Sequence, residues 1–308
     1  MSSAAFPEHV EEFVNDVRRF LAEFDLELPA SFDEQNTSQP ARTYELANQN
    51  WKTTLVVHQT SRSIGSAPGE FRARASIELP DSLACTLTGM EDVANQFASL
   101  GALVVGEGRA SVVCQSLIRE NSQEIVAAVM SAAIAHAAPA IVQSMARVLG
   151  TGALQTVRAL SAWSDLDFEQ IHYDHAHLGM GAIGRREWSQ SLLGGSKLTL
   201  QAVDNNPYWG GGLLIGLRCN PDFFRHDEDG IAANELNQMS WLFDDAPAFG
   251  AWCRREGDLL YVSFAPNFLK QVHAFTDFMI ASTVARAMSV RQLVGLAIEA
   301  RSLAGRLG

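Results

Sequence analysis

The sequence predicts an α+β fold built from two repeats, each an antiparallel sheet with helices packed on one face. The main observation is that a strand, a polar stop and a long apolar helix occur twice, over 110–145 and over 258–288. A second observation is that the related segments MEDVANQF (90–97) and ANELNQM (233–239) precede the two copies. Matching features are separated by roughly 140–146 residues, which is typical of an internal duplication. We therefore expect one repeat at 1–150 and a second at 151–308.

The first repeat opens with a predicted helix over 8–24, where apolar residues recur every three or four positions. A polar loop with two prolines is expected at 29–42. Two strands follow, at 51–59 and 71–79. The second of them alternates strictly between apolar and polar residues, which favours a half-exposed antiparallel strand.

Capping signals predict the middle of the first repeat. Thr88-Gly-Met-Glu91 has the spacing of a capping box and predicts a helix that ends near Leu100. Strands are expected at 102–105 and 110–118, and a long apolar helix follows them.

The second repeat is predicted to follow the same plan. The expected elements are helices at 153–163 and 231–243, strands at 197–204 and 209–218, and a hairpin at 249–264. Glycines in the second of these strands favour a bulge. Pro266 should end the last strand, with Asn267 as the N-cap of a helix that reaches Met288. A separate helix is expected at 290–303.

The composition indicates a folded protein that is not suited to binding polyanions such as nucleic acids. The chain has 308 residues, of which 47% are hydrophobic and 19% charged. This is enough for two ordinary cores and is unlike a disordered chain. The formal net charge is −12. Phosphate backbones and anionic membrane surfaces attract clustered Lys and Arg, so we expect neither a nucleic acid nor a membrane as a partner.

The cysteines and one apolar stretch are interpreted as parts of the core. Cys85, Cys114, Cys219 and Cys253 stand singly, without a C-x-x-C pair. The stretch at 125–142 approaches the length of a membrane span, but its polar residues and alanines favour a buried helix. The first residues have neither the basic nor the apolar region of a signal peptide, so we expect a cytoplasmic location.

One segment supports an alternative, enzyme-like interpretation. The glycines of GMGAIG (179–184) match a dinucleotide-binding pattern, but the residues before them are too polar for the buried strand that such a loop needs. HYDHAH (172–177) contains metal-ligand types, yet zinc needs ligands converging from separate elements. HDED (226–229) is interpreted as the start of a helix. We expect no cofactor, no metal site and no catalytic residue; the alternative is a metal- or nucleotide-dependent enzyme or ligand-binding protein that uses 172–184.

Aromatic residues are concentrated in the second half of the chain, where most of them should belong to the core. An exposed few could form a partner-binding patch, because aromatic residues are favoured at interfaces. The candidates for this patch are Trp209, Phe223, Phe224 and Trp252.

The segment AFGAWCRREGDLLYVSF (248–264), followed by Pro266-Asn-Phe268 and a long helix, resembles the hairpin, polar stop and helix of the YbjN-like proteins. The order of elements resembles the type III secretion chaperone-like fold, which the CesT-like secretion chaperones share. The resemblance covers 190–290 and, more loosely, 50–145. This chain departs from it in having two copies. Such chaperones are typically small acidic homodimers that bind an extended segment of a client, so the resemblance implies protein binding.

These patterns together predict a non-enzymatic, chaperone-like or adaptor protein whose partner is a protein or peptide client. The client would add a strand to an exposed sheet edge or fill an apolar groove. A tandem copy would build the dimer of such chaperones within one chain, as a pseudo-dimer, and the whole chain could still form a homodimer.

Overall fold

A computed structural model describes most of the chain. The described residues are 6–33, 40–48, 51–60, 69–97, 100–106, 108–151, 187–192, 195–206, 208–219, 233–243, 246–255, 258–272 and 274–307. The helices are α1 (Glu8–Ala22), α2 (Asp81–Leu87), α3 (Glu91–Asn95), α4 (Gln123–Thr151), α5 (Ala233–Phe243) and α6 (Phe275–Leu307). The predicted helix at 153–163 lies outside the described residues.

The strands form two antiparallel sheets. They are β1 (Phe32–Asp33), β2 (Ala41–Asn48), β3 (Trp51–Gln59), β4 (Phe71–Glu78), β5 (Ala102–Gly106), β6 (Arg109–Ile118), β7 (Glu187–Ser191), β8 (Lys197–Asn206), β9 (Gly210–Arg218), β10 (Ala251–Arg255) and β11 (Asp258–Pro266). The first sheet has the order β1-β2-β3-β4-β6-β5 and the second has the order β10-β11-β9-β8-β7.

The two sheets share one topology. Read from β7, the second sheet has the order β7-β8-β9-β11-β10, which matches β2-β3-β4-β6-β5 strand for strand. The last hairpins also match, since Gly106 faces Arg109 in one and Arg255 faces Asp258 in the other. In each repeat a helix, α3 or α5, precedes this hairpin, and a long helix, α4 or α6, follows it. The predicted α+β fold with two sheet repeats is confirmed.

Helix α4 lies in the core of the protein. Its stretch Gln123–Ala146 is long and apolar enough to cross a membrane, but 72% of its most apolar part is buried inside the protein. Helix α1 packs along it, and the Ser131 hydroxyl on α4 donates a hydrogen bond to the Val17 carbonyl oxygen at 3.3 Å. Tight packing against α1 and the first sheet accounts for the composition of α4.

Two predictions for the first repeat are wrong. The loop expected at 29–42 contains β1 and the start of β2, and α2 occupies 81–87, where no helix was predicted. Thr88 caps the end of α2 instead of the start of α3, because its hydroxyl donates to the Ala84 carbonyl oxygen at 2.8 Å. Met90 precedes α3 without any side-chain cap. The capping-box spacing was therefore coincidental.

The end of the chain differs from the prediction in its helices and agrees with it where β11 ends. Asn267 opens a short 3-10 helix, Asn267–Gln271, and α6 begins only at Phe275, after Ala274 adopts a positive φ of 55°. From there α6 continues as one helix, so the separate helix expected at 290–303 is part of it. Pro266 does make the last pair of β11, opposite Gly212. The β8–β9 register shifts between Val203 and Asn206, so the bulge lies on β8, whereas it was expected in the glycine-rich strand β9.

Candidate functional site

Each repeat uses one buried asparagine to fasten its short helix to its hairpin. In the first repeat, the Asn95 side chain accepts from the Leu103 amide at 2.7 Å and donates to the Leu103 carbonyl oxygen at 2.9 Å. In the second, Asn237 makes the same two bonds with Trp252, at 2.8 and 2.9 Å. Leu103 and Trp252 are each the second residue of their strand. The duplicated segments seen in the sequence therefore place equivalent side chains in equivalent roles.

Helix α3 of the first repeat also covers the edge of β10 in the second. The Asp92 carboxylate accepts a hydrogen bond from the Arg254 amide at 3.3 Å. The Gln96 side chain donates to the Arg254 carbonyl oxygen at 3.1 Å. An edge strand that would otherwise expose its main chain is thus occupied by the neighbouring repeat.

Helix α5 makes the reciprocal contact with β5. The Asn234 side chain accepts from the Val105 amide at 3.4 Å, and the Gln238 side chain donates to the Val105 carbonyl oxygen at 2.9 Å. The same pair of helix positions therefore binds the same strand position in both directions. This reciprocity relates the two repeats by a local two-fold arrangement, as in an isologous interface.

A buried polar link joins the sheets beside these helices. Gln115 on β6 exchanges main-chain hydrogen bonds with Ala248 of the second repeat, at 2.8 and 3.4 Å. Its side chain accepts from Arg74 at 3.0 Å and donates to the Ser240 carbonyl oxygen at 2.8 Å. Gln115 is fully buried, so these bonds satisfy a side chain that would be costly to leave unpaired.

On one side of this interface, aromatic residues fill the space against α4. His136 on α4 is hydrogen-bonded through Nδ1 to the Tyr208 hydroxyl at 3.0 Å. The rings of Phe24, Trp209 and Phe268 surround it, with centroids 4.9, 5.2 and 6.0 Å from the imidazole. Burial lowers the pKa of His136, which favours its neutral form. We call these five residues the aromatic cluster.

On the other side, a groove of about 770 Å³ runs along α6. The α6 wall contains Phe278, Ala281, Ala285 and Met288, which recur every three or four residues along one face of the helix. The Met288 side chain is 74% exposed, which is unusual for a large apolar residue that lies beside other apolar residues. We call this feature the α6 groove.

The opposite wall of the α6 groove comes from the first repeat and from the segment before β10. Ser116, Leu117 and Arg119 lie at the end of β6, and Ala246 and Pro247 complete the wall. Arg119 is paired with Glu70, whose carboxylate lies 3.3 Å from its Nε. The groove therefore lies at the junction of the two repeats and is continuous with their interface.

Arg286 fixes the position of that second wall. Its guanidinium donates to the Pro247 carbonyl oxygen from Nε at 3.0 Å and from Nη2 at 2.7 Å, and it also donates to the Ala246 carbonyl oxygen. Arg286 is fully buried and lies 5.7 Å from the centre of the Tyr261 ring. The charge of Arg286 is thus used inside the protein to hold the groove wall, and it does not face the groove.

The chemistry of the α6 groove suits binding more than proton transfer. Among the described residues that line it, Arg119 is the one ionisable side chain, and an arginine keeps its charge at any ordinary pH. The rest of the lining consists of apolar residues and uncharged polar ones. Pockets that bind apolar segments share this pattern of hydrophobic walls with a few polar groups.

The residues predicted to bind a partner are distributed differently from the prediction. Trp252 is fully buried in the core, where its indole donates to the Ser240 hydroxyl at 3.2 Å, so it is not part of an exposed patch. Trp209 is half-buried in the aromatic cluster. Phe223 and Phe224 lie outside the described residues. The apolar stripe of α6 that lines the groove and ends in Met288 was the signal that the sequence interpretation missed.

The segments behind the enzyme-like alternative, 172–184 and 226–229, lie outside the described residues. Within the part of the chain that the structure describes, no group of three or more His, Cys, Asp or Glu side chains is placed to hold a metal ion. All four cysteines are free thiols, and burial raises the pKa of Cys114, Cys219 and Cys253 to about 12.

Comparison of this chain with protein-family models, with curated proteins and with solved structures finds no match.

Proposed function

We propose that this chain is a non-enzymatic, chaperone-like or adaptor protein that holds a peptide segment of a client protein in the α6 groove. The observation that carries the proposal is the open apolar stripe of α6 facing a fixed wall from the other repeat. Binding an amphipathic or extended segment against such a stripe is a common mode of peptide recognition.

The relation between the repeats supports the proposal. Secretion chaperones, which the sequence resembles, pair two subunits to present a client-binding surface. Here the reciprocal contacts of α3 and α5 are what a pseudo-dimer within one chain requires. The contacts also occupy the inner sheet edges, at β5 and β10, so strand addition there would compete with the protein's own helices. A groove is therefore a better site for the client than an inner edge.

A cytoplasmic location is part of the proposal. Four unpaired cysteines, three of them buried as apolar side chains, suit a reducing compartment. Among the described residues, one helix is long and apolar enough to cross a membrane, and it is α4, whose composition is accounted for by core packing.

The test is selection of peptides from a random display library by the full-length protein, repeated with Met288→Asp. This change places a carboxylate at the exposed end of the apolar stripe, so groove-bound peptides should lose at least tenfold in affinity. Leu242→Asp is the matched control, because Leu242 is also exposed, at 52%, but does not line the groove. Peptides that bind all three proteins equally, or no enriched peptides at all, would contradict the proposal.

Metal analysis of the purified protein distinguishes the enzyme-like alternative from peptide binding. Stoichiometric zinc or iron that is lost on His175→Ala and His177→Ala would favour that alternative over peptide binding.

A further inference from the structure

We draw no further inference here: the strongest candidate, the α6 groove at the junction of the two repeats, belongs to the proposed function, and nothing in the described part of the chain shows what covers it.

Discussion

The two long helices, α4 and α6, occupy the same place in their repeats but have different surroundings. Every residue of α4 from 126 to 134 is buried, whereas α6 keeps an apolar stripe open, with Met288 74% exposed. Helix α4 carries no cation between Gln123 and Ala146, whereas α6 places Arg286 in the core. Duplication has therefore produced one helix that serves only the core and another that serves both the core and a surface.

The parts that the repeats share are those that connect them. Asn95 and Asn237 each make two hydrogen bonds to the main chain of an equivalent strand residue, with lengths that agree to within 0.1 Å. Helices α3 and α5 make reciprocal contacts. The parts that differ lie around the long helices, away from this shared centre. A fixed interface with variable flanks allows the surroundings of the two long helices to diverge without loss of the fold.

The largest expected effect is at the shared asparagines. Asn95→Ala and Asn237→Ala each leave a buried amide and a buried carbonyl without their partner, and each unsatisfied group costs about 1–3 kcal/mol. We expect both variants to lose about 2–5 kcal/mol in the free energy of unfolding, measured by urea denaturation. Asn121→Ala is the control, because Asn121 is exposed and should cost under about 0.5 kcal/mol. A large loss of stability in one variant with none in the other would contradict the equivalence of the two asparagines.

The next effect should appear only in the second repeat. Arg286→Met keeps a long apolar side chain but removes the donors to Ala246 and Pro247, so we expect a loss of about 2–3 kcal/mol. Ile134→Met in the buried part of α4 is the matched control and should cost under about 1.5 kcal/mol. Since Arg286 holds the groove wall, Arg286→Met should also weaken peptide binding. Unchanged stability and unchanged binding would show that this wall does not depend on the guanidinium.

Two glycines sharpen the comparison further. Gly101 and Gly250 precede β5 and β10, and a Cβ on each would press on the carbonyl oxygen of the facing valine, Val113 or Val262. The contact is closer at Gly250, where Ser263 and Tyr261 also crowd the position. We expect Gly250→Ala to cost about 2–3 kcal/mol and Gly101→Ala about 1 kcal/mol, because overpacking is typically destabilising by such amounts. Thermal unfolding of the two variants measures this, and the reverse order would contradict it.

The sequence was sufficient for the repeats because their strands are marked by local patterns. The alternation at 71–79 and the strand-stop-helix units at 110–145 and 258–288 specify elements that the structure contains, although the last helix begins at Phe275 and not directly after Asn267. Pro266 limits β11 because proline cannot donate to a strand partner, a constraint that holds whatever the tertiary setting.

Features that depend on tertiary partners were not predictable in this way. The strand β2 lies in a segment with polar residues and is stabilised by pairing along its whole length with β3. Thr88 has the right spacing for a cap, but a carbonyl of α2, a helix that was not expected, takes its hydroxyl. Trp252 was a candidate for the surface because tryptophan is favoured at interfaces. In the structure it lies in the core, where Asn237 and Ser240 satisfy its polar groups. The α6 groove needs both repeats, so neither half of the sequence could indicate it alone.

The smallest expected effect is a pH dependence from His136 of the first repeat, which lies in the aromatic cluster between the repeats. Burial lowers the pKa of His136 below its ordinary value of 6.5, and the described polar partner that faces it is the Tyr208 hydroxyl. As the pH falls through 6.5, the unfolded chain binds the proton before the folded chain does, so the free energy of unfolding should decrease until the lowered folded-state pKa is passed. Above 6.5 the contribution is fully present. Urea denaturation between pH 5 and 8 should show this decrease in the wild type and a smaller one in His136→Phe, which keeps the ring but cannot titrate. An equal pH dependence of the free energy of unfolding in the two proteins would mean that His136 is protonated as readily in the cluster as in the unfolded chain. It would contradict the expectation that Trp209 and Phe268, packed around His136, disfavour its charged form.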